Sequence, residues 1–152
     1  MKFLPLVVSI VICQVAGLIG SFFTMPAIAT WYATLAKPTF TPPNWIFGPV
    51  WTILFLLMGI SLYIIWSHKA NKTALIFFSI QLVLNILWSI LFFGLKSPLL
   101  AFGEILILWC AILITIIRVY PMSKFAAWLL MPYIAWVSFA AILNFTVYLL
   151  NT

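Results

Sequence analysis

Residues 31–51 read WYATLAKPTFTPPNWIFGPVW, and this segment is the one long interruption in an otherwise continuously apolar chain. It holds prolines at positions 38, 42, 43 and 49, together with six aromatic residues: Trp31, Tyr32, Phe40, Trp45, Phe47 and Trp51. Because proline lacks a backbone N–H and fixes φ, regular helices and strands do not tolerate this density. The segment therefore predicts an ordered, aromatic-rich loop that runs into a helix.

The composition around this loop is that of a membrane protein. Of 152 residues, 67% are hydrophobic and only 5% are charged, whereas soluble domains carry about 25% charged residues. Lipid allows only helices or closed barrels to span it. The apolar runs here are continuous and do not alternate at every second residue, which favours helices. We therefore expect an all-α membrane protein with the aromatic loop at the membrane surface.

Five runs are long enough to span a bilayer, which takes about 20 apolar residues. They cover residues 5–25, 44–67, 73–95, 99–119 and 125–150. Most connections are short, so successive helices should be antiparallel neighbours in a single five-helix domain. Only the loop at 26–43 is long enough to form a lid over a pocket.

The basic residues indicate the orientation. They are scattered over chain ends and loops and form no patch, so nucleic acid is not an expected partner. Five fall on one side of the predicted bundle (Lys2, Lys69, Lys72, Arg118 and Lys124), and two on the other (Lys37 and Lys96). The positive-inside rule then places the N-terminus in the cytoplasm and the aromatic loop outside.

Polar and aromatic residues follow single faces of the predicted spans. Gln81, Asn85, Trp88 and Phe92 are spaced i, i+4, i+7 and i+11, so they share one helix face that should point inward. Similar stripes occur on the other spans: Trp51 and Phe55; Tyr133, Trp136, Ala140 and Asn144; Gln14, Gly17, Ser21 and Thr24. Two interpretations remain open, namely contacts that join the helices and the wall of a pocket.

Conventional catalysis is not expected. Glu104 is the single acidic residue; it is either a proton-relay or ligand contact or a structural residue paired with a backbone group or with Lys96. His68 falls in a predicted loop, which is a poor position for haem ligation. Cys13 and Cys110 lie within apolar runs and show neither disulfide nor zinc spacing. The sequence offers no metal cluster, no nucleophile–base pair and no carboxylate pair.

Several motifs in order resemble the translocator protein family, also called tryptophan-rich sensory proteins or peripheral-type benzodiazepine receptors, and the chain looks like a bacterial member. The residues that carry the resemblance extend over most of the chain: Trp31-Tyr32, Leu35, Lys37-Pro38, Pro42-Pro43, Pro49-Val50-Trp51, Met58-Gly59, Gln81-Leu82, Asn85, Trp88, Pro132-Tyr133, Ala135-Trp136 and Leu143-Asn144.

The resemblance implies a five-helix bundle in the bacterial cell membrane, usually dimeric, with a pocket that opens toward the end closed by the first loop. It implies porphyrin ligands such as protoporphyrin IX and haem, and isoquinoline carboxamide or benzodiazepine-type drugs, without a required cofactor. The pocket residues carried over are Tyr32, Pro42, Phe47, Trp51, Asn85, Trp88, Ile107, Trp136, Ala140 and Leu143. Lys37 is a candidate for meeting the ligand's carboxylates.

The chain departs from the animal members at two positions. Phe145 stands where the cholesterol motif needs a tyrosine, and no Lys or Arg follows it, so cholesterol binding through that motif is not expected. The animal W-x-P-x-F pattern lacks its proline here, since Ile90 takes that place between Trp88 and Phe92. Drug affinities therefore need not transfer.

Three functions compete at this point. The first is tetrapyrrole binding for sensing or transport. The second, also implied by the resemblance, is an enzyme-like role, the light- and oxygen-dependent degradation of protoporphyrin IX, in which Trp51 and Trp136 would be the oxidisable rings. The third is proton-coupled transport through Glu104.

Overall fold

The computed structural model describes residues 2–68 and 72–152, which form helices and no strand. The helices are α1 (Phe3–Ile28), α2 (Trp31–Thr34), α3 (Asn44–Ser67), α4 (Lys72–Ser89), α5 (Pro98–Val119), α6 (Lys124–Leu129) and α7 (Met131–Leu150), and a π-helical turn at Ile90–Gly94 extends α4. Five of the helical segments are long and apolar enough to cross a membrane, counting α6 with α7 as one. The prediction of an all-α membrane protein with five spans is confirmed.

The π-helical turn widens the end of α4. There Leu95 N donates to Ile90 O, five residues back, at 2.7 Å. A wider turn rotates successive side chains by a smaller angle than an α-helix does. As a result, the consecutive residues Phe92 and Phe93 both face the interior of the bundle.

The last span is divided at Leu130, between α6 and α7. Pro132 lies in the first turn of α7, where its missing N–H costs least. Upstream, Ser123 caps α6 because its Oγ accepts a hydrogen bond from Ala126 N at 3.2 Å. A proline that interrupts the hydrogen-bond ladder thus marks the break, which periodicity alone did not indicate.

The five spans form a ring. Helix α1 packs against α3 and α4, α5 packs against α4 and α7, and α6 closes the ring against α3. The backbones of α1 and α3 touch, since a Cβ added at Gly59 would lie 2.6 Å from Ile10 Cα. Where α6 meets α3, Ser61 Oγ donates a hydrogen bond to Ala126 O at 3.0 Å. Large buried side chains fill the end of the ring that holds the N-terminus.

The two ends of the bundle differ in charge. The end that holds the N-terminus carries Lys2, Lys72, Arg118 and Lys124. The opposite end, called the loop side below, carries the 29–43 connection with Lys37, the 95–97 connection with Lys96, and the C-terminal end of α7. Lys69, which the orientation prediction also counts, lies outside the described residues.

Candidate functional site

A cavity of about 410 Å³ lies between the helices on the loop side. Its walls come from the C-terminal half of α1, the N-terminal half of α3, the end of α4 with its π-helical turn, and α7, while Tyr32 of α2 borders it from the loop. Ligand pockets commonly have volumes of roughly 300–1,000 Å³. The cavity is therefore large enough for a small organic ligand.

Aromatic rings from several helices line the inner wall. Trp88 stacks on Phe92 with ring centroids 5.0 Å apart and planes 19° apart. Phe47 meets Trp136 edge-on at 6.1 Å, and Trp51 lies 5.6 Å from Phe55. Such offset and edge-to-face pairs hold one another in place. The wall thus presents three indole rings (Trp51, Trp88 and Trp136) from three different spans.

Two buried amides hold this wall in position. Asn85 Nδ2 donates to Tyr133 Oη at 2.7 Å. Trp88 Nε1 donates to Asn144 Oδ1 at 3.0 Å, and Asn144 Nδ2 donates in turn to Pro98 O at 2.8 Å. These bonds join the third span to the fifth, and the fifth to the fourth. Both amides also border the cavity. These two residues therefore join helices and line a pocket at the same time, which are the two interpretations that the sequence left open.

The loop is bound to the bundle by aromatic contacts and hydrogen bonds. Tyr32 is buried, and its ring lies 5.7 Å from that of Phe93. Burial raises the pKa of the Tyr32 phenol above its usual value. Lys37 Nζ donates to Tyr32 O at 2.7 Å and to Leu35 O at 3.1 Å. The expected Lys37 contact with ligand carboxylates does not fit this geometry, since the ammonium is engaged by the loop's own carbonyls and does not border the cavity.

Eight of the ten residues assigned to the pocket border this cavity: Tyr32, Phe47, Trp51, Asn85, Trp88, Trp136, Ala140 and Leu143. Pro42 stays in the loop away from it. Ile107 does not belong to the cavity either, because its side chain is 61% exposed on the outer face of α5. The inward face of that helix is taken by Ile105 and Leu108.

Other residues of the cavity were not assigned from the sequence. Some lie on the polar stripe of α1 that the sequence did show (Gln14, Gly17, Ser21 and Thr24), and others have no such signal (Leu18, Met25, Asn44, Gly48, Thr52 and Phe93). Phe93 does not follow the 3.6-residue period of the inward face, because it lies in the π-helical turn. Gly48 could not be assigned from a side-chain pattern, because glycine has no side chain.

Two further candidates pack inside the protomer. Gly17, which borders the cavity, also packs against α3, since an added Cβ would lie 2.6 Å from the Phe55 ring. Glu104 is buried and does not border the cavity. Neither of its carboxylate oxygens has a hydrogen-bond partner within the described parts of the chain.

Comparison with known proteins gives a consistent match over the whole chain. Residues 9–150 match the TspO/MBR family. The chain is 50% identical to the tryptophan-rich protein TspO of Archaeoglobus fulgidus, covering 99% of both chains, and 43% identical to that of Chlorobaculum tepidum, covering 99% of this chain and 98% of the relative. It is 36% identical to the human translocator protein over 86% of this chain and 80% of the relative.

Proposed function

Because the chain belongs to the TspO/MBR family, we propose that this integral membrane protein binds a porphyrin or a related tetrapyrrole in the loop-side cavity, for sensing or transport of that ligand. The observation that carries the proposal is the wall of three indole rings around a cavity of about 410 Å³. A tetrapyrrole is flat and has a broad π-face, and aromatic side chains stack on such faces.

The carboxylate edge of a porphyrin needs polar partners near the water. The N-terminus of α3 supplies them, because Asn44 and Trp45 border the cavity at its loop end. Pro43, the residue before this helix, gives its first turn no side-chain cap. Free N–H groups and the helix dipole favour an anion at such a position. We expect the carboxylates to lie here, and not at Lys37.

The same cavity would take isoquinoline carboxamide or benzodiazepine-type drugs, which are also aromatic and largely apolar.

We also propose that the N-terminus lies in the cytoplasm and that the protein forms a homodimer. The excess of basic residues at the end that holds the N-terminus supports the orientation, which would put the cavity in the outer half of the membrane.

Degradation of protoporphyrin in light and oxygen is the second candidate. It is favoured by the position of Trp51 and Trp136, whose rings both border the cavity and would therefore lie beside an excited porphyrin. Such chemistry needs oxidisable rings and oxygen and no acid–base pair. Glu104, the centre of the transport alternative, lies outside the cavity, so the geometry does not favour that role.

Absorption and fluorescence spectra of purified protein with protoporphyrin IX test both candidates. Saturable binding in the dark, with quenching of tryptophan fluorescence, supports the first; absence of binding overturns it. A new product in light supports the second only if Trp51→Phe combined with Trp136→Phe abolishes it. Trp128→Phe is the matched control, since Trp128 is exposed on α6 and away from the cavity.

A test of Glu104 is independent of these spectra. Glu104→Gln keeps the size of the side chain and removes the exchangeable proton. If the protein in liposomes takes up porphyrin with a proton gradient and this variant stops the coupling, Glu104 acts in transport. Uptake that is absent or unchanged rejects that function.

A further inference from the structure

We propose that the ligand enters and leaves the cavity sideways, from the hydrocarbon of the bilayer, through a cleft between α1 and α3, while the loop stays in place as a fixed roof. This inference rests on the proposed function, since it concerns the route of the same ligand. It differs from the expectation that the pocket opens at the end closed by the loop.

The exposure of the residues around the cavity locates the opening. Those contributed by α4, its π-helical turn and α7 are buried or half-buried. The exposed ones all lie on the first two spans: Leu18, Met25, Asn44, Trp45, Gly48 and Thr52. Among the residues that the structure describes, the exposed border of the cavity thus lies on two neighbouring helices, which places the opening between them.

The contacts between α1 and α3 explain why they separate there. Toward the N-terminal end they touch closely, since Gly59 lies against the backbone of Ile10 and Gly17 lies against the ring of Phe55. Gln14 Nε2 donates to Thr52 O at 3.0 Å at the floor of the cavity. Beyond this floor the space between the two helices is the cavity itself, and Gly48 leaves room in it, because an added Cβ meets no atom within 4 Å.

The cleft has an apolar mouth within the depth of the membrane. Leu18 is 68% exposed, Met25 72% and Trp45 74%. From Leu18 to Ile28 the cleft extends over about 15 Å of helix at 1.5 Å per residue, which is about half the thickness of a hydrocarbon core. Side chains of this kind contact lipid tails at no cost, so the apolar macrocycle of a ligand in the bilayer meets apolar side chains at the mouth, with the polar Asn44 and Thr52 beside them.

The loop, by contrast, is tied down near its start and at its middle. Ala36 N donates to Asn151 Oδ1 at 2.9 Å, and Asn151 Nδ2 donates to Ala36 O at 2.8 Å, which joins the loop to the end of α7. At its start, Trp31 and Tyr32 pack against Phe92, with ring centroids 5.6 and 6.3 Å away. Opening this roof would break both sets of contacts, whereas the cleft is already open.

Stopped-flow quenching by protoporphyrin IX, with the protein in lipid nanodiscs, tests the route. Gly48→Trp places a ring in the cleft and should slow association and dissociation about tenfold or more. The control is Gly103→Trp, because Gly103 on α5 also has open space around it and does not border the cavity. Met25→Ala widens the mouth and should speed both rates, whereas Asn151→Ala, which releases the roof, should leave them within about twofold.

The outcomes separate the two proposals. An equilibrium titration of the wild type in the same nanodiscs that shows no binding overturns the proposed function. Binding with rates that rise in Asn151→Ala, and stay unchanged in Met25→Ala, overturns the lateral route alone. If Gly48→Trp abolishes binding altogether, Met25→Ala decides: faster exchange supports the cleft and unchanged rates refute it.

Discussion

The indole N–H of Trp88 donates to Asn144 Oδ1 at 3.0 Å, and through that amide the third span is joined to the fifth. Asn144 Nδ2 extends the connection to Pro98 O at the start of α5. One side chain therefore holds three spans together at the inner wall of the cavity. The Asn144 side chain is only 2% exposed.

Replacing this amide should weaken both the fold and the site. Asn144→Leu leaves the half-buried Trp88 N–H without its partner and removes the bond that joins α7 to Pro98 O. We expect a loss of about 1–3 kcal/mol in the free energy of unfolding, measured by denaturation in detergent, together with weaker porphyrin binding. Thr146→Val is the control, because the Thr146 hydroxyl bonds only to its own helix at Ile142 O. Equal stability of the two variants would refute the assigned role.

The contact of α1 with α3 makes a second prediction. Gly59→Ala places a methyl group 2.6 Å from the backbone of Ile10, and a backbone atom cannot move aside as a flexible side chain can. We expect destabilisation by roughly 1–3 kcal/mol. Gly103→Ala should instead be neutral or stabilising by about 0.5–1 kcal/mol, because its surroundings are open and alanine favours the helix. A similar effect of both changes would contradict the close approach.

Gly17 connects the same interface to the cavity. An alanine there would meet the Phe55 ring at 2.6 Å, and that ring also borders the cavity. The ring must shift, so we expect Gly17→Ala to lower porphyrin affinity by about tenfold, or about 1.4 kcal/mol. An unchanged dissociation constant, measured by fluorescence titration, would mean that Phe55 does not shape the bound site.

The apolar runs and the inward stripes were predictable from the sequence, because hydrophobicity and a 3.6-residue period are local properties. Features that depend on the geometry of a single turn, or on contacts between residues far apart in the sequence, could not be predicted in this way. The π-helical turn shifts Phe93 out of the period, and the bond between Asn151 and Ala36 joins residues that are 115 positions apart in the sequence. Ile107 was assigned to the pocket by resemblance, yet the rotation of α5 turns it outward.

Replacing Glu104 should increase the stability of the protein, in contrast to the destabilising changes above. Its carboxylate is buried, and within the described residues neither oxygen has a hydrogen-bond partner. Removing a buried polar group that has no partner relieves a cost of about 1–3 kcal/mol. Glu104→Leu should therefore raise the free energy of unfolding. A clear loss of stability would show that the carboxylate is satisfied by a bound water or another group.

The central claim is that porphyrin occupies the loop-side cavity. A substitution whose side chain fills the cavity tests this claim most directly. Ala140 borders the cavity, whereas Ala135, on the same helix, is exposed and lies outside it. In dark titrations with protoporphyrin IX, Ala140→Phe should weaken binding by about tenfold or more, and Ala135→Phe should change it by less than about twofold. Equal affinities of the two variants would contradict binding in this cavity.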